Sequence, residues 1–567
     1  MRYRPRPALR PARPMLLLAV LCAGWIALGG GAGGCTRGPA FIPPEQRKVI
    51  DRAVVDYPGG ARLVEVVRHL TGAADFEEDA DGNWIIAESG SGGYEPRIFG
   101  FRPDGTYFSV YPAGRSLRTP NVAPFNLVKT GFRLYGPIGG ILLDNGKIYV
   151  THRDADGNGV VTAFTYDGQH ETVVGGLPAQ GDHGMSDIAL NPTTGQLWFG
   201  VGSATNAGVV GVDNWLWAKH YQEFSDRSFV DLKLNGFQFK SKNPDAGLFG
   251  GPDVAVTAPY QPFNVSTQTR IRRSELPTAA IYSADPTGGA LRVVAHGIRA
   301  PRGLTFSRFA NAYMTVGGME LRGPRPIKDD PDALLIVRPG TWYGFPDFST
   351  DLTPITDRRF QLAGDMLKLL IRSGYDEISY LVDRNASNQG QGLIEPARAA
   401  LLQATFPPLA GAGKFDFVPD IGPLAPLVGN AIVPLAGDQS PFATSGRKLV
   451  DRVGFKVVRV DPTTREVSDF IRNTKVKPAS LLPAGEGLIE RPVAAKFGRD
   501  GALYIVDFGR LDRRPDGREK VRAHTGRILK LEPLLQQAAT QPTTNHVPEA
   551  TPASAPLPDA TAPPTSR

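Results

Sequence analysis

Between about residue 70 and residue 535 the chain repeats one pattern: an apolar run, a tight polar turn, then a second apolar run. Copies fall at residues 79–87, 141–150, 188–199, 304–314 and 494–506, with a fainter one at 429–434. Asp-Gly and Asn-Gly turns, such as Asn145-Gly146 and Asp500-Gly501, separate several of these runs. They are strong hairpin signals because their residues tolerate positive φ. A second set of strand-like runs follows at residues 97–101, 160–164, 280–283, 333–337, 456–460 and 527–531. Six such units, none able to bury both faces alone, predict an all-β fold, a six-bladed β-propeller. About 24 strands is too many for a two-sheet sandwich.

Two intervals, 204–278 and 347–428, exceed what a blade needs and are expected to be functional lids or caps, or else decoration that covers an edge. The second holds helix-like stretches at 365–372 and 395–403. The chain divides into residues 1–34, a lipoprotein-type signal segment; 35–69, a linker with a lead-in strand; 70–535, the propeller; and 536–567, a tail. That tail is rich in Pro, Ala and Thr, with almost no large apolar side chain. Burial cannot offset its ordering entropy, so it is expected to be disordered.

Composition agrees with this picture. Of 567 residues, 65 are Gly and 50 are Pro, too much punctuation for a helical bundle. The net charge of +7 is mostly a targeting signal. Arg2, Arg4, Arg6, Arg10 and Arg13 precede an apolar stretch at residues 15–28, which as a helix spans about 21 Å, short of a bilayer core. This reads as an export signal rather than a transmembrane anchor. Ala32-Gly33-Gly34-Cys35 resembles a bacterial lipobox, which makes Cys35 the expected lipidation site and the lipid the only membrane attachment. The localisation expected is periplasmic or cell-surface. Loss of residues 1–34 removes five Arg and no acid, taking the net charge from +7 to +2. The basic balance is therefore no argument for nucleic-acid binding. With Cys22 and Cys35 the chain's two cysteines, the folded body has no thiol for a disulfide, a Cys-based zinc site or covalent haem.

Candidate chemistry belongs on loops entering the innermost strands of a propeller. Asp182-His183 lies just before the third strand pair, a histidine beside a carboxylate. Asp154-Ala155-Asp156-Gly157-Asn158-Gly159 imitates an EF-hand start, but its twelfth position is Thr165 rather than Glu, so a hairpin turn is expected. Trp215 and Trp217 either line a sugar platform or pack an insertion against the propeller.

Gly176-Leu177-Pro178, Gly181-Asp182-His183 and Ile188-Ala189-Leu190 resemble the third blade of the soluble quinoprotein glucose/sorbosone dehydrogenase family. The segments at 202–211, 295–304, 339–346, 490–494 and 507–509 extend that resemblance over residues 48–535. It implies a sugar or alcohol dehydrogenase holding pyrroloquinoline quinone and calcium at the channel mouth and passing electrons to an external acceptor. His183 would be the general base, and Asp182 and Tyr343 would bind substrate. Arg299 would stabilise charge on the quinone and Arg491 would hold a cofactor carboxylate. The backbone carbonyls of Gly318 and Met319 would take the calcium. Ala300 replaces the Asn usual after the fourth-blade Arg, and Gly317-Gly318-Met319-Glu320 replaces the family's calcium loop. These departures favour an alternative, a non-catalytic cell-surface propeller that binds carbohydrate or a protein partner. A lactonase-like hydrolase is a third reading, for which no central set of metal-binding side chains can be assembled.

Overall fold

Six antiparallel sheets of four or five strands follow one another along the chain. The computed structural model describes residues 38–113, 132–243, 254–263, 268–362, 378–385, 393–438, 442–443, 446–447, 453–513 and 519–534. Blade one runs from Ala73–Glu78 through Trp84–Glu88 and Arg97–Phe101 to Tyr107–Tyr111. Blade two spans Tyr135–Asp144 to His170–Leu177, blade three Met185–Leu190 to Arg292–His296, and blade four Pro301–Phe306 to Leu402–Phe406. Blade five begins with the short strand Asp416–Phe417 and ends at Val467–Asn473. Blade six begins at Pro492–Phe497. Its long outer strand is Ala61–Leu70, paired antiparallel with Gly526–Pro533 and edged by the two-residue strand Ala40–Phe41. The lead-in strand expected outside the propeller is therefore part of it, and closes the ring.

The middle strands, such as Val160-Val161-Thr162-Ala163-Phe164 and Leu503-Tyr504-Ile505-Val506, read as near-continuous apolar runs because both faces of each blade are covered there. Six core clusters occupy the six inter-blade gaps. Ile85, Ile98, Ile141 and Val150 fill the first, between blades one and two. Phe76, Trp84, Tyr504 and Val506 fill the last, between blades six and one. Burial of one such large side chain is worth about 1.5–3 kcal/mol against exposure, so adjacent blades stabilise each other.

The turn chemistry is local and repeated. Asp79-Ala80-Asp81-Gly82-Asn83 and Asp154-Ala155-Asp156-Gly157-Asn158 are the same pentapeptide and make the same turn. In each, the first Asp accepts backbone N–H groups two and four residues on, at 2.8–2.9 Å. The glycines take φ of 78° and 75°. The EF-hand imitation is thus a hairpin turn whose Asp154 oxygens are occupied by its own loop.

The insertions leave blade three after Val201 and blade four after Val337, and they pack on one another. Leu232, Leu234, Trp342, Phe348, Val382 and Leu393 form a shared core. Buried Arg325 donates to Ala207 O (3.2 Å), Pro346 O (2.8 Å) and Ser379 O (2.9 Å), tying the two together. Residues 398–401 form one helical turn and 402–406 are strand, so the helix expected at 395–403 is mostly absent. Residues 365–372 and Cys35 lie outside the described residues, as does the tail from 535. Among the described residues no helix is long and apolar enough to cross a membrane.

Candidate active site at the channel mouth

The loop before blade three delivers His183 by packing backbone on backbone. Gly181 has φ 113°. A Cβ there would stand 2.4 Å from Ala204 O, and one at Gly202 would stand 2.2 Å from His183 Cβ. Glycine at both positions lets residues 182–184 lie against 202–204. Asp182 N donates to Ala204 O (3.1 Å), His183 N to Ser203 O (3.2 Å) and Gly202 N to Gly184 O (3.0 Å). Behind the loop, Arg153 donates to Ala179 O (3.0 Å) and Gly181 O (3.3 Å) while its guanidinium lies 4.8 Å from the Trp217 ring centre. Trp217 accordingly packs the insertion against this loop.

His183 faces a cavity of about 350 Å³ bounded by the starts of the innermost strands of blades two to six. Its charged lining is Asp182, Arg302, Glu320, Lys414 and Asp438. The Nε2 atom of His183 is buried and has no hydrogen-bond partner among the described residues. Burial, then the positive charge of Arg299, hold its pKa well below the ordinary 6.5; Glu320 opposes them and Arg322 and Arg302 add to them. It is a neutral imidazole, its Nε2 buried and unpartnered, in a residue that lines a polar cavity.

Asp182 lines the cavity, but its oxygens are engaged. Oδ1 accepts from Asn214 Nδ2 (3.0 Å) and Oδ2 from Arg322 Nη2 (2.6 Å). Arg322 also pairs with Asp213 (2.9 Å) and Glu320 (3.0 Å). Burial works against this guanidinium's charge, but Asp182, Glu320 and Asp213 more than offset it and raise its pKa.

Arg299, expected to face a quinone, turns into the wall. Nε donates to Asn206 O (2.8 Å) and Nη1 to Gly317 O (3.1 Å) and Gly318 O. Nη2 reaches Asn206 Oδ1 (2.8 Å) and Glu320 Oε1 (3.4 Å). The Gly318 carbonyl expected to hold calcium therefore accepts from a guanidinium. Met319 is buried under the cap and its N–H donates to Asp330 Oδ2 (2.7 Å). Among the described residues no group of three or more His, Cys, Asp or Glu side chains is placed to hold a metal. The residues present do not fit calcium here.

Arg491 stands behind the cavity wall, its Nη1 donating to Ala436 O and Gly437 O at 3.0 Å each. Tyr343 is away from the cavity. It is buried in the core between blades three and four, where its hydroxyl donates to Ile336 O (2.6 Å) and accepts from Arg338 N (2.9 Å). A phenol so enclosed has no reach to a ligand at the mouth.

Sequence reasoning missed two cavity cations. Arg302 pairs with Asp332 at 3.4 Å, while that carboxylate oxygen also accepts from Gly411 N (2.7 Å) and Ala412 N (2.9 Å). Its guanidinium lies flat against Gly317, where a Cβ would stand 2.7 Å from Nη2. Its place three residues after Arg299, at the start of an innermost strand, was the available signal. Lys414 lies at the channel side of the cavity, donating to Ala74 O (2.6 Å) and pairing with Asp75 (3.3 Å). A carboxylate-bearing quinone fits this donor set better than calcium does: the cavity has the volume, one weakly committed guanidinium and one unpartnered imidazole nitrogen.

No family model matches the sequence, and no curated protein matches it. Solved structures are similar to it. The pyranose dehydrogenase PQQ domain from Coprinopsis cinerea, in holo form, is 14% identical over 85% of this chain and 98% of that one, with a TM-score of 0.47. The PQQ-bound aldose sugar dehydrogenase from Streptomyces coelicolor is 13% identical over 84% and 99%, with a TM-score of 0.41. A gluconolactonase from Xanthomonas campestris is 11% identical over 88% and 95%, with a TM-score of 0.36. Likenesses this distant assign no activity. The propeller is established by this chain's own sheet order.

Proposed function

We propose that the chain is an exported oxidoreductase of the quinoprotein propeller type that acts on a hydroxyl of a sugar or alcohol. The observation that carries the reading is His183 Nε2, buried and unpartnered on the wall of the channel-mouth cavity. Neutral at working pH, it accepts the proton of a substrate hydroxyl at that atom. Arg302 presents guanidinium N–H groups to an anionic oxygen in the same cavity. Asp182 acts through Arg322, holding the His183 loop rather than touching substrate. Pyrroloquinoline quinone, when bound, would supply the two-electron acceptor, and Arg302 and Lys414 are the side chains that would hold its carboxylates. A soluble external acceptor and anchoring through Cys35 complete the proposal.

The test is a spectral titration of the purified chain with pyrroloquinoline quinone, followed by dye reduction with aldoses and simple alcohols. Binding with substrate-dependent dye reduction is expected, and His183→Ala should lower kcat by about 10²–10⁴ with the cofactor still bound. An unchanged cofactor spectrum, or a His183→Ala variant as active as the parent, sinks the reading. The internal commitments of Arg299 and Asp182 favour one other reading, a cell-surface propeller that binds carbohydrate without turnover. Glycan binding that survives His183→Ala, with no dye reduction by the parent, would support it.

A further inference from the structure

We infer that Arg299 is the resident cation of this site, its guanidinium filling the oxygen cradle beside His183 so that the site is built to work without calcium. This deepens the reading above and rests on it for the role of His183. The observation is a convergence of five oxygens, Asn206 O, Asn206 Oδ1, Gly317 O, Gly318 O and Glu320 Oε1, on one buried side chain. Carbonyl, amide and carboxylate oxygens are the donors a hard divalent cation takes, in sets of six to eight. They are equally the acceptors for a planar fork of five N–H donors. Nε makes one contact, Nη1 two and Nη2 two, which leaves no gap at the centre for a metal ion.

The cradle is held open from outside by bonds that do not involve Arg299. Asn206 Nδ2 donates to Glu320 O (2.8 Å) and Arg322 O (2.9 Å), and Asn206 Oδ1 also accepts from Glu320 N (2.9 Å). Gly318 N donates to Asp332 Oδ1 (3.0 Å). The oxygens are therefore pre-arranged around a cation by the frame, and Arg299, 2% exposed, is the cation the sequence supplies. A chelator cannot remove that charge, which stays beside His183 with or without calcium in solution.

The experiment uses the full mature chain and reads calcium binding by calorimetry and thermal unfolding, with and without EGTA. The parent should show no calcium heat at the cradle and no change in Tm with either reagent. Arg299→Ala should have a lower Tm, part of which calcium restores by binding the vacated oxygens. Arg299→Lys, the milder change, keeps a cation in place and should stay insensitive to calcium. The surface turn at Asp154 is controlled by Asp154→Ser. Parental calcium binding that survives Asp154→Ser overturns the inference, and binding that disappears with it belongs to the turn and leaves the cradle calcium-free. A folded Arg299→Ala that ignores calcium also overturns it, because the oxygens then make no cation site. If Arg299→Ala does not fold, the parent and Arg299→Lys decide the matter. Absence of dye reduction with these results intact would count against the dehydrogenase reading only.

Discussion

His183 shows how burial and nearby charge set the use of one side chain. Its pKa is lowered first by loss of water and then by Arg299, with Arg322 and Arg302 adding and Glu320 opposing. An imidazole so placed stays neutral at pH values where an ordinary histidine is already protonated. The acid limb of kcat/KM should therefore lie below pH 6.5. Glu320→Gln removes the nearby charge that favours protonation and should move the limb lower still, as a pH profile of dye reduction would show. A limb at or above the ordinary histidine value would mean that another group is the base. The sequence pointed to His183 because it stands beside a carboxylate just before an innermost strand, and the structure puts it on the cavity wall. It could not show that Asp182 is taken by Arg322, 140 residues away, or that Arg299 closes on Asn206. Those bonds join segments that only the finished fold brings together.

Among strands, the innermost ones carry a device of their own. Asp75, Asp187 and Asp416, on blades one, three and five, each accept a backbone N–H from the next blade: Ile141 (3.0 Å), Leu304 (3.0 Å) and Phe497 (3.2 Å). An acid on an innermost strand thus stitches neighbours that share no sheet. The hairpins were legible because Asp-Gly turns are local chemistry, whereas a stitch across a gap leaves no local pattern. Asp187 is wholly buried and its Oδ1 lacks a partner among the described residues. Its carboxyl is pushed up to about 6, first by burial, with Asp75 adding and Lys496 and Lys414 opposing. The folded chain thus holds a proton that the unfolded chain releases near 3.8. The resulting stability is whole below about pH 3.8 and is lost as pH rises through about 6. Asp187→Asn keeps an acceptor for Leu304 and should flatten that decline when Tm is followed against pH. Asp187→Ala should cost about 1–3 kcal/mol in denaturant unfolding, because the Leu304 N–H is left buried and unpaired.

For the whole molecule, the two insertions form one cap on the side of blades three and four, and the cavity lining comes almost wholly from the propeller loops and their strand starts. The insertions were visible as surplus length. Their mutual packing was not, since Leu234 and Val382 meet across some 150 residues. The same holds for the outer strand of blade six. Its sequence reads as a strand, but nothing local says that it pairs with residues 526–533. A chain ending at residue 525 lacks that partner and should lose its cooperative thermal transition, while the outer strand of blade six loses its inner neighbour. A sharp transition retained by that truncation would show that five blades and a remnant suffice.

That pairing also sets a schedule. Ala61–Leu70 is made early, and Gly526–Pro533 is the last strand among the described residues, so during synthesis the edge meant for that strand has no native mate. Contacts of such high sequence separation form slowly. The chain thus remains an open ribbon of blades, vulnerable to pairing with other copies, until its final strand arrives and turns a line into a ring.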